Sequence, residues 1–190
     1  KNDKKFYLSS QNDFSSFLHK IRDNLQKKKL FFKKIEFIWF DKKNEFRNGI
    51  KKKHNYAMKF EQDVFYHFYS ILNTILKKNH KKILFSNIFY EKKNIVFESK
   101  NITFNLFSSR NKIKRIRKIN FFDKKNFNFM NINFSSDNFK LTLKNKLIYL
   151  KKDKPLKNQL KNFLYSKRNL QNIAIEKNKN LIEQLNKLRK

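Results

Sequence analysis

Between residues 12 and 25 the apolar positions recur at three- and four-residue spacing. Phe14, Phe17, Leu18, Ile21 and Leu25 share one face of a predicted helix, with Asn12 or Ser10 as its cap and Lys27, Lys28 and Lys29 at its end. A short apolar stretch at 5–9 precedes it. Residues 30–40 (LFFKKIEFIWF) are rich in aromatic residues and Ile and predict a strand. Residues 41–53 are charged, contain the only glycine, Gly49, and read as a loop. Ala57, Phe60, Val64, Phe68, Ile71 and Ile75 then predict a helix over 55–78.

Strand-like runs follow at 82–90, 94–98 and 101–107. In the last of these Ile102, Phe104 and Leu106 alternate with Thr103 and Asn105. Residues 126–134 (NFNFMNINF) alternate again, with a phase slip at Phe129–Met130 that reads as a bulge. Two short apolar runs, 139–143 and 146–150, are joined by a turn at Lys144–Asn145–Lys146. Asp153–Lys154–Pro155 opens a final helix. Its stripe of Leu156, Leu160, Leu164, Leu170, Ala174, Leu181, Leu185 and Leu188 gives about 35 residues, or roughly 50 Å at 1.5 Å per residue.

These elements predict an α+β fold: two small α/β regions with short, mostly antiparallel sheets, followed by a long C-terminal helix. The expected units are 1–120, an N-terminal α/β domain; 121–150, a small β-rich domain; and 151–190, a basic helical extension. A helix so long cannot bury its whole stripe on so small a domain, so it is expected to project and dock on a neighbour.

Charge changes the picture most. The 190 residues carry 47 Lys+Arg against 15 Asp+Glu, a net charge of +32. High charge with low hydropathy is often a mark of disorder. Here Ile, Leu, Val and Phe supply 62 residues, 23 of them Phe, about a third of the chain and enough to form a core. The self-repulsion of such a fold is relieved most simply by a bound polyanion.

Composition also excludes chemistry. The absence of Cys removes disulfides, iron–sulfur clusters and cysteine nucleophiles, and a single Gly removes glycine-rich phosphate loops. His19, His54, His67 and His80 have no metal-ligand spacing, and Glu61 and Asp63 suit the dipole of a helix start. No apolar run is long enough to span a membrane. The expectation is a chain with no catalytic residues, no metal, no cofactor, no small-molecule substrate and no membrane partner. The 40 Lys against 7 Arg, with 27 Asn and a single Gly, point to a strongly A+T-biased genome, most simply mitochondrial, with plastid or apicoplast as the alternative and a nuclear gene of an A+T-rich organism as the competing source.

Within this background Lys112, Lys114, Arg115, Arg117 and Lys118 fall in seven residues and read as a phosphate-binding run. Some of the many Phe residues would serve as stacking platforms for unpaired bases, although most lie at core spacing.

The order of elements resembles the eighth protein of the small ribosomal subunit, over residues 10–150 with an insertion at 41–53. That family's I-R-N pattern is similar to Ile21, Arg22, Asp23 and Asn24, with Asp in place of Asn. Its K-R-I-S-K-P pattern resembles Lys114 to Ile119, with Arg117 for Ser and Ile119 for Pro. Its S-T-S-x-G loop resembles Ser135, Ser136, Asp137, Asn138 and Phe139. The resemblance implies a non-catalytic binder of small-subunit ribosomal RNA in an organellar ribosome. It implies RNA contacts at Arg22, Lys28, Lys29, Ser135, Ser136 and Asn138 beside the basic run, and protein neighbours on the C-terminal helix. A lineage-specific accessory subunit of another large organellar assembly, or a DNA-binding or maturase fragment, are the alternatives.

Overall fold

The computed structural model describes residues 15–27, 31–47, 49–51, 59–76, 85, 87–90, 94–99, 101–136, 138–152, 157–158, 179, 182–184 and 186. The elements bounded within these residues are α1 (Ser16–Lys27), α2 (Phe60–Leu76) and the strands β1 (Lys34–Lys42), β2 (Phe46–Arg47), β3 (Ile50–Lys51), β4 (Asn87–Tyr90), β5 (Ile95–Ser99), β6 (Ile102–Lys112), β7 (Ile116–Phe122), β8 (Asn128–Asn133), β9 (Asn138–Leu143) and β10 (Lys146–Lys152). Eight of the strands form one mixed sheet in the order β10-β9-β8-β7-β1-β6-β5-β4, and β2 and β3 form a small separate hairpin.

β1 occupies the middle. It pairs parallel with β6 (Phe37 opposite Leu106) and antiparallel with β7 (Phe37 opposite Ile119), while every other neighbouring pair in the large sheet is antiparallel. Because successive side chains of a strand point to opposite faces, this register sorts the whole sheet. Ile35, Phe37 and Trp39 share one face with Phe104, Leu106, Ile119, Phe121, Met130, Ile132 and Leu141, and all of these are buried.

Both helices lie on that face. Phe17 of α1 packs against Phe134, Phe139 and Tyr149, at ring-centroid distances of 6.0, 5.5 and 5.6 Å. Phe68 of α2 meets Phe37, Phe97 and Phe104 at 5.2, 5.5 and 6.1 Å. The abundance of Phe is thus used largely as one interlocked aromatic layer, with edge-to-face and offset pairs of the kind such rings prefer.

The chain compensates for its scarcity of glycine with asparagine. Asn126, Lys144 and Asn145 take positive φ values of 61°, 48° and 63°, beside Gly49 at 77°. Asn is among the residues that tolerate this region best. The adjacent pair Lys144–Asn145 gives the β9–β10 turn the two positive φ values that a tight hairpin favours.

Several expectations are corrected. The fold is one eight-stranded mixed sheet with helices on one face, rather than two small α/β regions. The reason is that β8, β9 and β10 continue the ladder from β7 and share its apolar face, so residues 128–152 need no core of their own. The first helix is capped by Ser15, whose Oγ accepts the Leu18 amide at 3.1 Å, and not by Asn12 or Ser10, which lie outside the described residues. The register slip expected at Phe129–Met130 is present: Phe121 pairs with Met130 and Phe122 with Asn128, so Phe129 is the extra residue on β8, and both Phe129 and Met130 are buried.

No long C-terminal helix is present among the described residues. Lys151 and Lys152 complete β10, and helical geometry is described only at 157–158, 179, 182–184 and 186. Most of the leucine stripe lies outside the described residues.

The layer of rings should behave as one unit. Phe68→Ala is expected to lower unfolding stability by about 3–5 kcal/mol, the usual cost of an emptied aromatic site, in a urea melt carried out in sulfate buffer. A loss below about 1 kcal/mol would show that the ring layer is not the core.

Candidate nucleic-acid interface

The basic run from Lys112 to Lys118 crosses the β6–β7 turn, and the two-residue period divides it. Arg117 falls opposite Trp39, on the helix-covered face. Its guanidinium lies 4.0 Å from the Trp39 ring centre and donates to Asp41 Oδ1 through Nη2 at 2.7 Å and Nε at 3.2 Å. The Arg117 and Asp41 side chains are only 15% and 7% exposed. Burial pushes the Arg117 pKa below its ordinary value and the Asp41 carboxylate opposes that push, so the guanidinium stays charged as half of a buried pair.

Arg115 points its Nη1 to Glu45 at 3.8 Å, and its Nε is buried without a hydrogen-bond partner. Arg110, one turn of chain earlier, stacks on Phe60 at 4.3 Å and pairs with Asp63 at 3.6 Å. All three arginines of this region therefore answer local carboxylates.

The lysines do not. Lys112 and Lys114 are exposed and Lys118 is half-buried, and among the described residues no carboxylate pairs with any of them. Lys42 and Lys43 at the end of β1 are exposed beside them, and β1 and β6 end together with Lys42 opposite Lys112. The Lys112 ammonium stands 5.0 Å from the ring centre of Phe40.

Phe40 belongs to the second face of the sheet, opposite the one on which α1 and α2 pack. Register places Lys34, Glu36, Ile38 and Phe40 of β1 beside Thr103, Asn105, Phe107 and Ser109 of β6, and beside Phe122, Asn120, Lys118 and Ile116 of β7. The rows extend through Asn131 and Asn133 of β8 to Thr142 and Lys140 of β9. Each of these residues keeps accessible surface, whereas the alternate positions on the helix-covered face are buried along β1 from Ile35 to Asp41. Asn131 donates to Asn120 across the β7–β8 pair, and Lys34 sits 3.2 Å from Glu36 and 4.2 Å from the Phe122 ring centre. At the Lys34 end an open groove of about 450 Å³ is lined by Lys33, Lys34, Glu98, Thr103, Asp123 and Lys124, among others.

The remaining expected RNA contacts are dispersed. Arg22 on α1 pairs with its neighbour Asp23 at 3.2 Å, and Lys28 and Lys29 lie outside the described residues. Ser135 Oγ accepts the Arg117 amide at 2.9 Å, and the Ser135 amide donates to Asn133 Oδ1 at 2.9 Å, so this serine ties β8 to β7. Ser136 is exposed and donates to the Asn138 carbonyl at 3.1 Å, and Asn138 is exposed at the start of β9. His67 stacks on Trp39 at 4.9 Å, and among the described residues no three His, Asp or Glu side chains gather as a metal site. No described helix is long and apolar enough to cross a membrane.

Sequence reasoning missed this second face: Lys34, Asn105, Phe107, Asn120, Phe122, Asn131, Asn133 and Lys140. The signal was the odd-numbered polar pair Thr103 and Asn105 in β6. It became informative only once the partner strands were known.

Comparison with protein-family models finds no match, and comparison with curated proteins finds none. Among solved structures the chain is similar to a dehydrogenase (MviM) from Clostridium difficile, with 11% identity and a TM-score of 0.48, over 94% of this chain and 61% of that one. The chain thus spans about three fifths of that dehydrogenase's length, and a likeness this faint transfers neither fold name nor activity. The resemblance to the eighth ribosomal protein of the small subunit is corrected. No family model supports it, and the residues matched to the serine loop of its C-terminal domain, 132–139, continue the same sheet as 102–107.

The Asp41–Arg117 pair supplies a test of the divided run. Asp41→Leu alone should destabilise by about 3–5 kcal/mol, because it strands a buried charge, and adding Arg117→Met should restore most of that loss. A melt in which Asp41→Leu is neutral would mean that Arg117 reaches solvent with the lysines.

Proposed function

We propose that this protein is a non-catalytic RNA-binding component of a ribonucleoprotein assembly, held to its RNA mainly through phosphate contacts. The observation that carries the reading is the set of lysines without carboxylate partners among the described residues, Lys112, Lys114 and Lys118, on a chain of net charge +32. Arg110, Arg115 and Arg117 pair with Asp63, Glu45 and Asp41, while Lys42, Lys43, Lys112 and Lys114 stand exposed where β1 and β6 end. Cations held at such density by a fold gain free energy by replacing the counterions of a polyphosphate.

The biased composition supports an organelle, a mitochondrion before a plastid, and the ribosome is the RNA assembly there that this reading selects. Ribosomal RNA is then the principal partner. Leu147, Ile148 and Leu150, exposed at 56%, 43% and 48% on the edge strand β10, favour a protein neighbour as well.

Salt titration tests the reading. If about six to ten phosphates are neutralised, affinity for structured RNA falls by roughly 10³–10⁵ between 50 and 200 mM salt. Replacing Lys112, Lys114 and Lys118 by Ala is expected to weaken all RNAs alike and to lower the slope of log K against log salt by about three. An unchanged slope in the triple variant removes these lysines from the interface, and a flat response in the wild-type protein removes the function.

A further inference from the structure

The two faces of the sheet use their aromatic rings differently. On the helix-covered face the rings interlock. On the face opposite α1 and α2, Phe40, Phe107 and Phe122 keep accessible surface, and among the described residues none of the three packs against another ring. Two of them carry a lysine ammonium instead: Lys112 lies 5.0 Å from Phe40 and Lys34 lies 4.2 Å from Phe122. Between these ends the surface is amide-rich, with Asn105 and Asn120 flanking Glu36, and Asn131 beyond Asn120. Lys118 stands beside Ile38, opposite Phe107, and Lys140 continues that row.

We propose that this face of β6, β1 and β7, opposite α1 and α2, is a binding site for unpaired RNA, taking bases on Phe40, Phe107 and Phe122 and phosphates on Lys34, Lys112 and Lys118. The proposal rests on the RNA-binding reading above and names the kind of RNA that this face selects.

Chemistry separates the candidates. In a duplex the bases are already stacked and an A-form helix presents phosphates and 2′-hydroxyls, so a ring on the protein gains nothing from it. An unpaired strand offers π-faces and free Watson–Crick edges. Rings accept the first without regard to sequence. Asn side chains, each both donor and acceptor, and the Glu36 carboxylate meet the second.

A lysine over each end ring suits the same ligand: a base entering the stack displaces the ammonium onto the adjoining phosphate, which exchanges a weak cation–π contact for an ion pair. From Lys34 to Phe40 the track covers six residue steps of β1, about 20 Å, which fits a run of at most about six stacked nucleotides at 3.4 Å each. An acidic protein surface would answer the lysines but leave the rings and amides without a role.

The test compares two probes, a uridine-rich single-stranded oligonucleotide and a blunt RNA hairpin of equal phosphate number, each titrated against the full chain by fluorescence anisotropy. Phe107→Leu and Phe40→Leu keep apolar bulk at half-exposed positions and remove the ring. Each is expected to weaken the single strand about 5- to 150-fold, the range for one lost base stack, and to leave the hairpin within twofold.

A second readout needs no variant. An oligonucleotide carrying 2-aminopurine should lose fluorescence on binding wild-type protein, as stacking on a ring quenches it. Loss of affinity for both probes alike, loss for neither, an absent quench, or equal displacement of the oligonucleotide by polyglutamate of the same charge would each overturn the site. In those cases wild-type binding to the hairpin still stands as RNA binding. Failure of wild-type protein to bind either probe at low salt would instead remove the RNA reading itself.

Discussion

The parity of β1 is the constraint on which the rest of the structure depends. Residues 34–42 are paired on both sides, so their alternation is imposed on the sheet as far as β9 to one side and β5 to the other. Ile35, Phe37 and Trp39 turn toward α1 and α2 and draw Phe104, Leu106, Ile119 and Phe121 with them into one apolar layer. A slip of one residue would exchange that set for Lys34, Glu36, Ile38 and Phe40, setting two charges beneath the helices, at a cost no local rearrangement offsets.

The same parity determines what becomes of the charge. A run of five cations reads in sequence as one patch. In the fold it is two populations. Arg117 lies under the helices, stacked on Trp39 and paired with Asp41, and Arg115 reaches Glu45. Lys112, Lys114 and Lys118 remain toward solvent. The guanidinium suits the buried role because it stays charged, stacks on rings and forks onto one carboxylate, whereas the ammonium is better hydrated and suits the surface. With few acids available, each one engaged inside leaves the exterior more positive, and raises the self-repulsion that a bound polyanion would relieve.

Much of the local structure was readable in the sequence. The stripes at Phe17–Leu25 and Val64–Ile75 became α1 and α2, and the alternation at 102–106 became β6. What could not be read was non-local. The parallel pairing of β1 with β6 joins segments more than sixty residues apart, and nothing in either segment specifies it. Nor could alternation alone identify the face opposite the helices. In β1, Ile35, Phe37 and Trp39 compete with Ile38 and Phe40, and in β7, Ile119 and Phe121 compete with Ile116 and Phe122. Both parities are apolar enough to be a core, and only the placement of two helices decides between them. The family resemblance failed for a related reason: short basic and serine motifs recur easily in a chain this rich in Lys and Asn, and they were read as a loop of a second domain where the chain continues its single sheet.

The central claim is that RNA lies on the face of the sheet opposite α1 and α2. Ultraviolet cross-linking of the full chain to uridine-containing RNA, with the adducts mapped by mass spectrometry, addresses it most directly. The account predicts adducts in the peptides of β1, β6 and β7, centred on Phe40, Phe107 and Phe122, with α1 and α2 unmodified. Adducts confined to α1, α2 and the helix-covered side would contradict it.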